Sequence, residues 1–160
     1  MLAGTGKHNA LKTPFHSHHR PMNPNVAILG PVFSLAAWTI VVLLILAYRR
    51  VKATTTGAVH VREFAFGESP KVPVSAQLVS RNYMNLLEMP VLFYVACLVS
   101  LVTGPTTSAM LTLAWLYVAL RVLHSLIHIT TNRIIHRFAV FVLSNVVLAA
   151  LWVLLGLRFV

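Results

Sequence analysis

Charged residues are scarce in this chain, and acidic residues are the scarcest of them. Only 10% of its 160 residues are charged, with 3 acidic residues against 13 Lys and Arg, whereas a soluble domain carries about 25% charged residues. Hydrophobic residues make up 58% of the sequence, and the mean hydropathy is +0.78. This balance excludes an ordinary soluble domain and indicates an integral membrane protein.

Cysteine is nearly absent as well. Cys97 is the single cysteine, which excludes an internal disulfide and a cysteine-based metal cluster. It lies in an apolar stretch away from the charged end of its segment, whereas a reactive thiol would need a nearby base or cation and access to water. We therefore expect Cys97 to pack as a small buried hydrophobe.

Long apolar segments dominate the rest of the chain. Each is long enough as a helix to cross a hydrocarbon core, which needs roughly 20 residues. The segments cover residues 26–48, 77–102, 108–129 and 138–157. The last three are joined by short turn-like or polar connections, which make neighbouring helices antiparallel. The sequence predicts an all-α, integral membrane four-helix bundle with one longer loop at 49–76.

Lysine and arginine are distributed unevenly between the two ends of these segments, which predicts their orientation. The richer side carries Arg49, Arg50, Lys52, Arg62, Lys71, Arg81, Arg133 and Arg137, and the other carries Lys7, Lys12, Arg20 and Arg158. We expect the richer side to be cytoplasmic, which places both termini in the periplasm or a lumen. The net charge of +10 is explained by this topology and by contact with anionic membrane lipid, so nucleic acid is not an expected partner.

The first 21 residues differ from the remainder. They contain four histidines and no apolar run long enough for a signal peptide. We expect a disordered, His-rich tail over residues 1–21, followed by a transmembrane domain at 22–160. The start of translation could equally be Met1 or Met22.

Polar residues form a single stripe on each of two apolar segments. The first stripe, at i, i+4 and i+7, consists of Arg81, Asn85 and Glu88. The second stripe, at i, i+3 and i+7, consists of Arg121, His124 and His128. Residues at such spacings share one face of a helix. A charge near the bilayer centre costs a few kcal/mol or more unless it is paired or hydrated, so both stripes are candidate functional sites. Pro90 predicts a bend just beyond the first stripe.

Two interpretations of the stripes remain open. Glu88 is the only acidic residue in a predicted membrane segment, and it could form a structural ion pair with Arg121. The protein would then be a non-catalytic bundle that binds a lipid head group or a partner protein. A proton or ion path through Glu88 and the histidines is less favoured, because the first and fourth segments contain no continuing titratable residues.

The second interpretation is an anionic ligand site, because the ion pair does not account for the remaining cations, which include Arg137 at the start of the fourth segment. Arginine binds carboxylates through two parallel hydrogen bonds. A small zwitterionic peptide such as glutathione fits this set of residues. Its thiol is reactive only as the thiolate, which a nearby arginine stabilises.

These motifs resemble those of the MAPEG family, the membrane-associated proteins of eicosanoid and glutathione metabolism. The similarity is carried by RNYMNLLEMP at residues 81–90, by RVLH at residues 121–124, and by Arg133 and Arg137. It extends from about Met22 to the C-terminus, and the motifs are similar to those of the bacterial branch.

The resemblance implies a homotrimer with glutathione bound between neighbouring subunits toward the cytosolic side. Together with the distribution of lysine and arginine, the similarity to the bacterial branch predicts a bacterial inner-membrane location with both termini periplasmic. It implies glutathione transferase or peroxidase activity on a lipophilic substrate that enters from the bilayer, with no metal or redox cofactor. Arg137 matches the arginine credited with activating the thiol and is the candidate catalytic residue. The candidate glutathione contacts are Arg49, Arg50, Arg81, Asn85, Glu88, Arg121, His124, His128 and Arg133.

Three positions depart from the family pattern. His128 stands where eukaryotic members usually have a ligand-binding tyrosine, Phe141 stands where another tyrosine is common, and Met84 replaces an arginine of some members. Each lost hydrogen bond to a charged group would remove roughly 1.5 to 3 kcal/mol, so we expect weaker glutathione binding or a different thiol or anion. His124 and His128 could also form a metal pair, although two ligands make a poor site. Asn132, in the next loop, could cap a helix or approach the ligand.

Overall fold

The computed structural model describes residues 25–64 and 69–160, and within them every regular element is a helix. A 3-10 turn at Val26–Ile28 leads into α1, which covers Leu29–Thr55, and a second 3-10 turn lies at Val61–Phe64. The remaining helices are α2, Val74–Glu88; α3, Pro90–Thr103; α4, Ser108–Ile129; and α5, Ile134–Gly156. The predicted tail at 1–21 and the alternative start at Met22 lie outside the described residues.

Four helical stretches are long and apolar enough to cross a membrane, which confirms the predicted all-α membrane bundle. They are Val26–Thr55, Val74–Thr103, Ser108–Ile129 and Ile134–Gly156. Much of their apolar surface points outward, because only 22% of the apolar window of the first span is buried inside the protein, against 44% for the third. Outward-facing apolar side chains are expected where lipid is the solvent. The protein is therefore an integral, multi-pass membrane protein, and α4 is its most buried span.

The helices extend beyond the apolar runs that the sequence displays. α1 continues past Tyr48 to Thr55, and α2 already begins at Val74, so the connecting loop is shorter than the expected 49–76. A hydropathy count locates the edge of the hydrocarbon core, whereas backbone hydrogen bonds continue a helix into water. Threonine hydroxyls in the last turn of α1 donate to carbonyls of that turn. The extension places Arg49 and Arg50 within α1 and not after it.

α2 and α3 are the two halves of one span, which is interrupted at Met89. Pro90 has no amide hydrogen, so it cannot donate to the carbonyl four residues earlier. Met89 keeps helical backbone angles, φ −60° and ψ −36°, so the interruption lies within a single span, Val74–Thr103. The interruption lies at the position where Pro90 predicts a bend. It separates α2, which carries the charged and amide residues, from the apolar α3.

The core of the bundle is built against α4. Tyr117 of α4 stacks on Phe93 of α3, with ring centroids 4.7 Å apart and an interplanar angle of 25°. Leu35 and Val42 of α1 and Leu151 of α5 join the same buried cluster. A second, smaller cluster packs the loop after α1 against the end of α1 and the start of α2. It contains Ala53, Val59, Val72 and Ala76. The loop is thus packed onto the bundle at the end that carries the polar stripe of α2.

Candidate functional site

The polar stripe of α4 lies inside the bundle. Arg121 is fully buried, and the exposed fractions of His124 and His128 are 3% and 6%. The three side chains share one helical face, and the contacts of that face with α2 and α5 carry their polar interactions. Burying a guanidinium and two imidazoles is costly unless they meet polar partners. Those partners therefore define the candidate site.

Arg121 is bonded to α2 through Asn85. Its Nη2 donates to the backbone oxygen of Asn85 at 2.7 Å and to the side-chain Oδ1 at 2.6 Å. The guanidinium carbon lies 6.0 Å from the ring centroid of Tyr117 and 5.7 Å from that of Phe141, so aromatic faces flank the charge. The Nε and Nη1 atoms are buried and have no hydrogen-bond partner among the described residues. Two donors of a buried cation are therefore unsatisfied within the described part of the chain.

The ion pair between Glu88 and Arg121, which was one of the interpretations left open by the sequence, is not formed. Glu88 is exposed, and the ion pair found among residues 25–64 and 69–160 joins Lys71 to Glu63 at 3.0 Å. Asn85 and Glu88 are three residues apart, which turns their side chains about 60° from each other around the helix axis. Asn85 is the one that meets α4. The ion-pair interpretation is therefore corrected, because a neutral amide bonds the buried arginine.

Arg137, in the first turns of α5, reaches back to α4 and to the loop before it. Its Nη1 lies 3.3 Å from Nε2 of His128 and donates to Oδ1 of Asn132 at 2.8 Å. The backbone amide of Arg137 is bonded to the carbonyl of Arg133 at 3.0 Å, which fixes the helical turn that carries the side chain. The candidate catalytic arginine and a histidine of the α4 stripe are therefore direct neighbours.

These groups surround a cavity of about 270 Å³. Its wall contains Asn85, His124, His128 and Arg137 together with the apolar Ile134, Phe138 and Phe141. The ring of His124 lies 5.9 Å from that of His128 and 5.7 Å from that of Phe141, between centroids. In the described part of the chain, no group of three or more His, Cys, Asp or Glu side chains is placed to hold a metal ion. A cation beside polar donors can bind an anionic group and stabilise negative charge that develops on it.

Comparison with known protein families identifies the chain. The profile of the MAPEG family matches residues 28–157. The chain belongs to the MAPEG family. No curated protein and no solved structure matches it. Membership confirms the predicted family and implies, at family level, a membrane protein of glutathione-related transferase or peroxidase type.

Three of the candidate MAPEG ligand contacts are exposed at the surface, away from the cavity. Arg81 and Glu88 are exposed on α2, about one turn to either side of Asn85. Arg133 is exposed at the residue before α5. The cavity is lined by Asn85, His124, His128 and Arg137, and Arg121 is bonded to Asn85. Arg81, Glu88 and Arg133 lie at the surface of the single chain.

Arg49 and Arg50 lie elsewhere, between α1 and α2. Nη1 of Arg49 donates to the backbone oxygen of Ser75 at 2.6 Å. Nη2 of Arg50 donates to Oγ of Ser80 at 3.2 Å, and its guanidinium lies 5.3 Å from the ring centroid of Phe64. Arg49 also lines a second cavity of about 320 Å³ beside Lys52. These two arginines connect the loop end of α1 to α2 and do not meet Arg137 within one chain.

Sequence reasoning missed a buried polar contact next to the stripes. Nδ2 of Asn82 donates to Oγ of Ser125 at 2.6 Å, and both residues are fully buried. Asn82 precedes Asn85 by three residues and Ser125 follows Arg121 by four, so each extends a polar stripe by helical spacing. That spacing was a usable signal, but small neutral residues cost too little in an apolar segment to stand out. Phe138 of the cavity wall carried no signal, because it is one of many apolar residues of α5.

Proposed function

We propose that the protein is a membrane-bound, glutathione-dependent transferase or peroxidase that acts on a lipophilic substrate. The observation that carries the proposal is the position of Arg137. Its side chain contacts His128 and lines the same cavity as His128, Asn85 and His124. This arrangement occurs in a chain of the MAPEG family. A guanidinium beside a bound thiol lowers the cost of forming the thiolate.

Each cationic group has a separate role in this proposal. Arg137 stabilises the sulfur anion of glutathione. Arg121 binds a glutathione carboxylate by donating from its buried Nε and Nη1, which have no partner among the described residues. Asn85, already bonded to Arg121, aligns that guanidinium. Arginine suits this task because its planar donors match a carboxylate.

The chemistry follows from the thiolate. In the transferase reaction, sulfur attacks an electrophilic carbon, a carbon–sulfur bond forms, and the electron pair of the broken bond leaves with the departing group or takes up a proton. In the peroxidase reaction, the thiolate sulfur attacks the terminal oxygen of a hydroperoxide and the O–O bond breaks. The alkoxide takes up a proton and leaves as an alcohol, and the glutathione sulfur becomes a sulfenic acid. A second glutathione then reduces it to the disulfide and water. Bilayer entry of the second substrate is consistent with the apolar wall contributed by Ile134, Phe138 and Phe141.

A homotrimer is part of the proposal. The single-chain cavity of about 270 Å³ is slightly smaller than the roughly 300 to 1,000 Å³ of typical ligand sites. Neighbouring copies would enlarge it with surface residues that do not reach it within one chain. The residues proposed for this role are Arg49, Arg50, Arg81, Glu88 and Arg133. We further propose the bacterial branch of the family and an inner-membrane location with both termini periplasmic.

The non-catalytic alternative loses its main support, because Arg121 is bonded to Asn85 and not to Glu88. Binding of a lipid head group is the alternative that a missing thiolate signal in the test below would support. Such binding would satisfy the same cations without forming a thiolate.

The test is a titration of glutathione into detergent-solubilised protein, followed by ultraviolet difference absorbance of the thiolate. We expect a saturable signal for the wild type and its loss in Arg137→Ala. The matched control is Arg62→Ala, which removes an exposed arginine of the loop and should leave the signal unchanged. No signal at millimolar glutathione in the wild type, or an equal signal in Arg137→Ala, would contradict the proposal.

A further inference from the structure

The loop between α4 and α5 contains a residue with an unusual backbone. Asn132 has φ 46° and is the single non-glycine residue with positive φ among residues 25–64 and 69–160. Its backbone nitrogen donates to the carbonyl oxygen of Ile127 at 2.7 Å, which closes the end of α4. Most L-residues avoid this left-handed region, and asparagine adopts it more readily than most. Glycine would satisfy the backbone equally well, so the side chain requires its own explanation.

The side chain of Asn132 bonds the candidate catalytic arginine. Its Oδ1 accepts a hydrogen bond from Nη1 of Arg137 at 2.8 Å, and the same nitrogen lies 3.3 Å from Nε2 of His128. In the described part of the chain, Arg137 makes side-chain hydrogen bonds only through Nη1. One end of the guanidinium is therefore fixed by two contacts, and Nη2 and Nε stay available beside the cavity that Arg137 lines.

We propose that Asn132 is a positioning residue that holds Arg137 ready for the thiol sulfur of the bound ligand. This inference rests on the proposed glutathione-dependent function. Arg137 is only partly buried and its side chain is long and flexible, so without a tether it would occupy other rotamers facing water or lipid head groups. Fixing a cation before the reaction is how preorganised sites stabilise developing charge.

A neutral amide suits this role better than a carboxylate. An aspartate would also accept from Nη1 and tolerate the left-handed backbone, but its negative charge would offset the field of Arg137 at the sulfur. Asparagine combines a permitted backbone, a hydrogen-bond acceptor and zero charge. Its position five residues before Arg137 lets the loop and the first turns of α5 deliver both groups to the same point.

The experiment compares the pKa of the bound glutathione thiol in the wild type and in Asn132→Gly. Glycine keeps the positive φ and removes only the amide side chain. We expect the thiol pKa to rise by about one unit, which corresponds to about tenfold less thiolate at a pH below that pKa. Glutathione affinity should change by less than about threefold, because Arg137 touches the sulfur and not the carboxylates. The thermal midpoint should equal that of the control below.

The control is Thr131→Gly, which adds a glycine to the same loop at an exposed residue and leaves the Asn132 amide in place. It should leave the thiol pKa at the wild-type value. In an Arg137→Ala background, the pKa of the bound thiol, followed to alkaline pH, should be the same with and without Asn132→Gly, because a positioning residue acts only through its partner.

The outcomes separate the two claims. A wild-type thiolate signal that Asn132→Gly does not weaken overturns the positioning role and leaves the proposed function intact. An equal pKa rise in Thr131→Gly assigns the effect to loop flexibility and also overturns the role, as does a further rise of the thiol pKa on adding Asn132→Gly to Arg137→Ala. A wild type without any thiolate signal overturns the proposed function, and the positioning role falls with it.

Discussion

The stability of the bundle should depend on Asn85 and scarcely on Glu88. Oδ1 of Asn85 accepts from the fully buried guanidinium of Arg121 at 2.6 Å, and Asn85→Ala deletes this acceptor while keeping the backbone oxygen. A hydrogen bond to a charged group contributes about 1.5 to 3 kcal/mol. We therefore expect Asn85→Ala to lower the free energy of unfolding by about that amount.

The matched change is Glu88→Gln, which removes a charge three residues further along the same helix. Glu88 is exposed and is not bonded to Arg121 in the described structure. Exposed substitutions away from such contacts usually change stability by less than about 0.5 kcal/mol. The difference between the two variants should thus exceed about 1 kcal/mol.

The assay is denaturant-induced unfolding in mixed micelles at one protein concentration, because an oligomer would make apparent stability depend on concentration. Arg121→Met completes a double-mutant cycle with Asn85→Ala, with an expected coupling energy of about 0.5 to 3 kcal/mol. If Glu88→Gln proves more destabilising than Asn85→Ala, the reasoning is refuted and Glu88 is the true counterpart of Arg121.

Two further predictions concern contacts away from the cavity. Asn82→Ala should lower the free energy of unfolding by about 0.6 kcal/mol and at most about 1.7 kcal/mol, the range measured for hydrogen bonds between membrane helices. A double-mutant cycle with Ser125→Ala in the same unfolding assay should recover that energy as a coupling term, and additive effects would contradict a direct contact. In the loop, the Ser69 hydroxyl and the Lys71 ammonium hold the pKa of Glu63 below its ordinary 4.5. The ion pair between Glu63 and Lys71 is therefore present above pH 4.5, and it is lost only as the pH falls through the lower folded-state pKa. The protection factor for amide exchange at Val61–Phe64, which removes the pH dependence of the intrinsic rate, should accordingly stay constant from neutral to mildly acidic pH in the wild type and be lower across that range in Glu63→Gln. Equal protection factors in both would remove the pair from any role in ordering the loop.

Much of the fold follows from local properties of the chain. The length of an apolar run relative to the bilayer thickness decides whether it spans, so four spans were visible without knowing how they pack. The missing amide hydrogen of Pro90 acts within its own helix, and the interruption at Met89 follows from it. Helical periodicity likewise placed Arg121, His124 and His128 on one face, which is the buried face of α4.

Partner choice between helices did not follow from the sequence. Glu88 and Asn85 both lie on the polar stripe of α2, and a sequence argument that ranks partners by charge selects Glu88 for Arg121. The structure selects Asn85, 36 residues away along the chain, because the rotation of α2 about its axis is set by the packing of every helix against it. A difference of about 60° around that axis is enough to exchange one partner for the other.

The contacts of Arg137 likewise separate what the sequence determines from what only the tertiary structure decides. The sequence alone determined the membrane setting, the four spans, the family and most of the polar residues, since each depends on composition or on spacing within one helix. Only the tertiary structure decided that Arg137 meets His128 and Asn132, and that Arg49 and Arg50 are bonded to α2 instead. Those contacts depend on where helix ends and loop backbone come to lie in space, and neither composition nor periodicity contains that information.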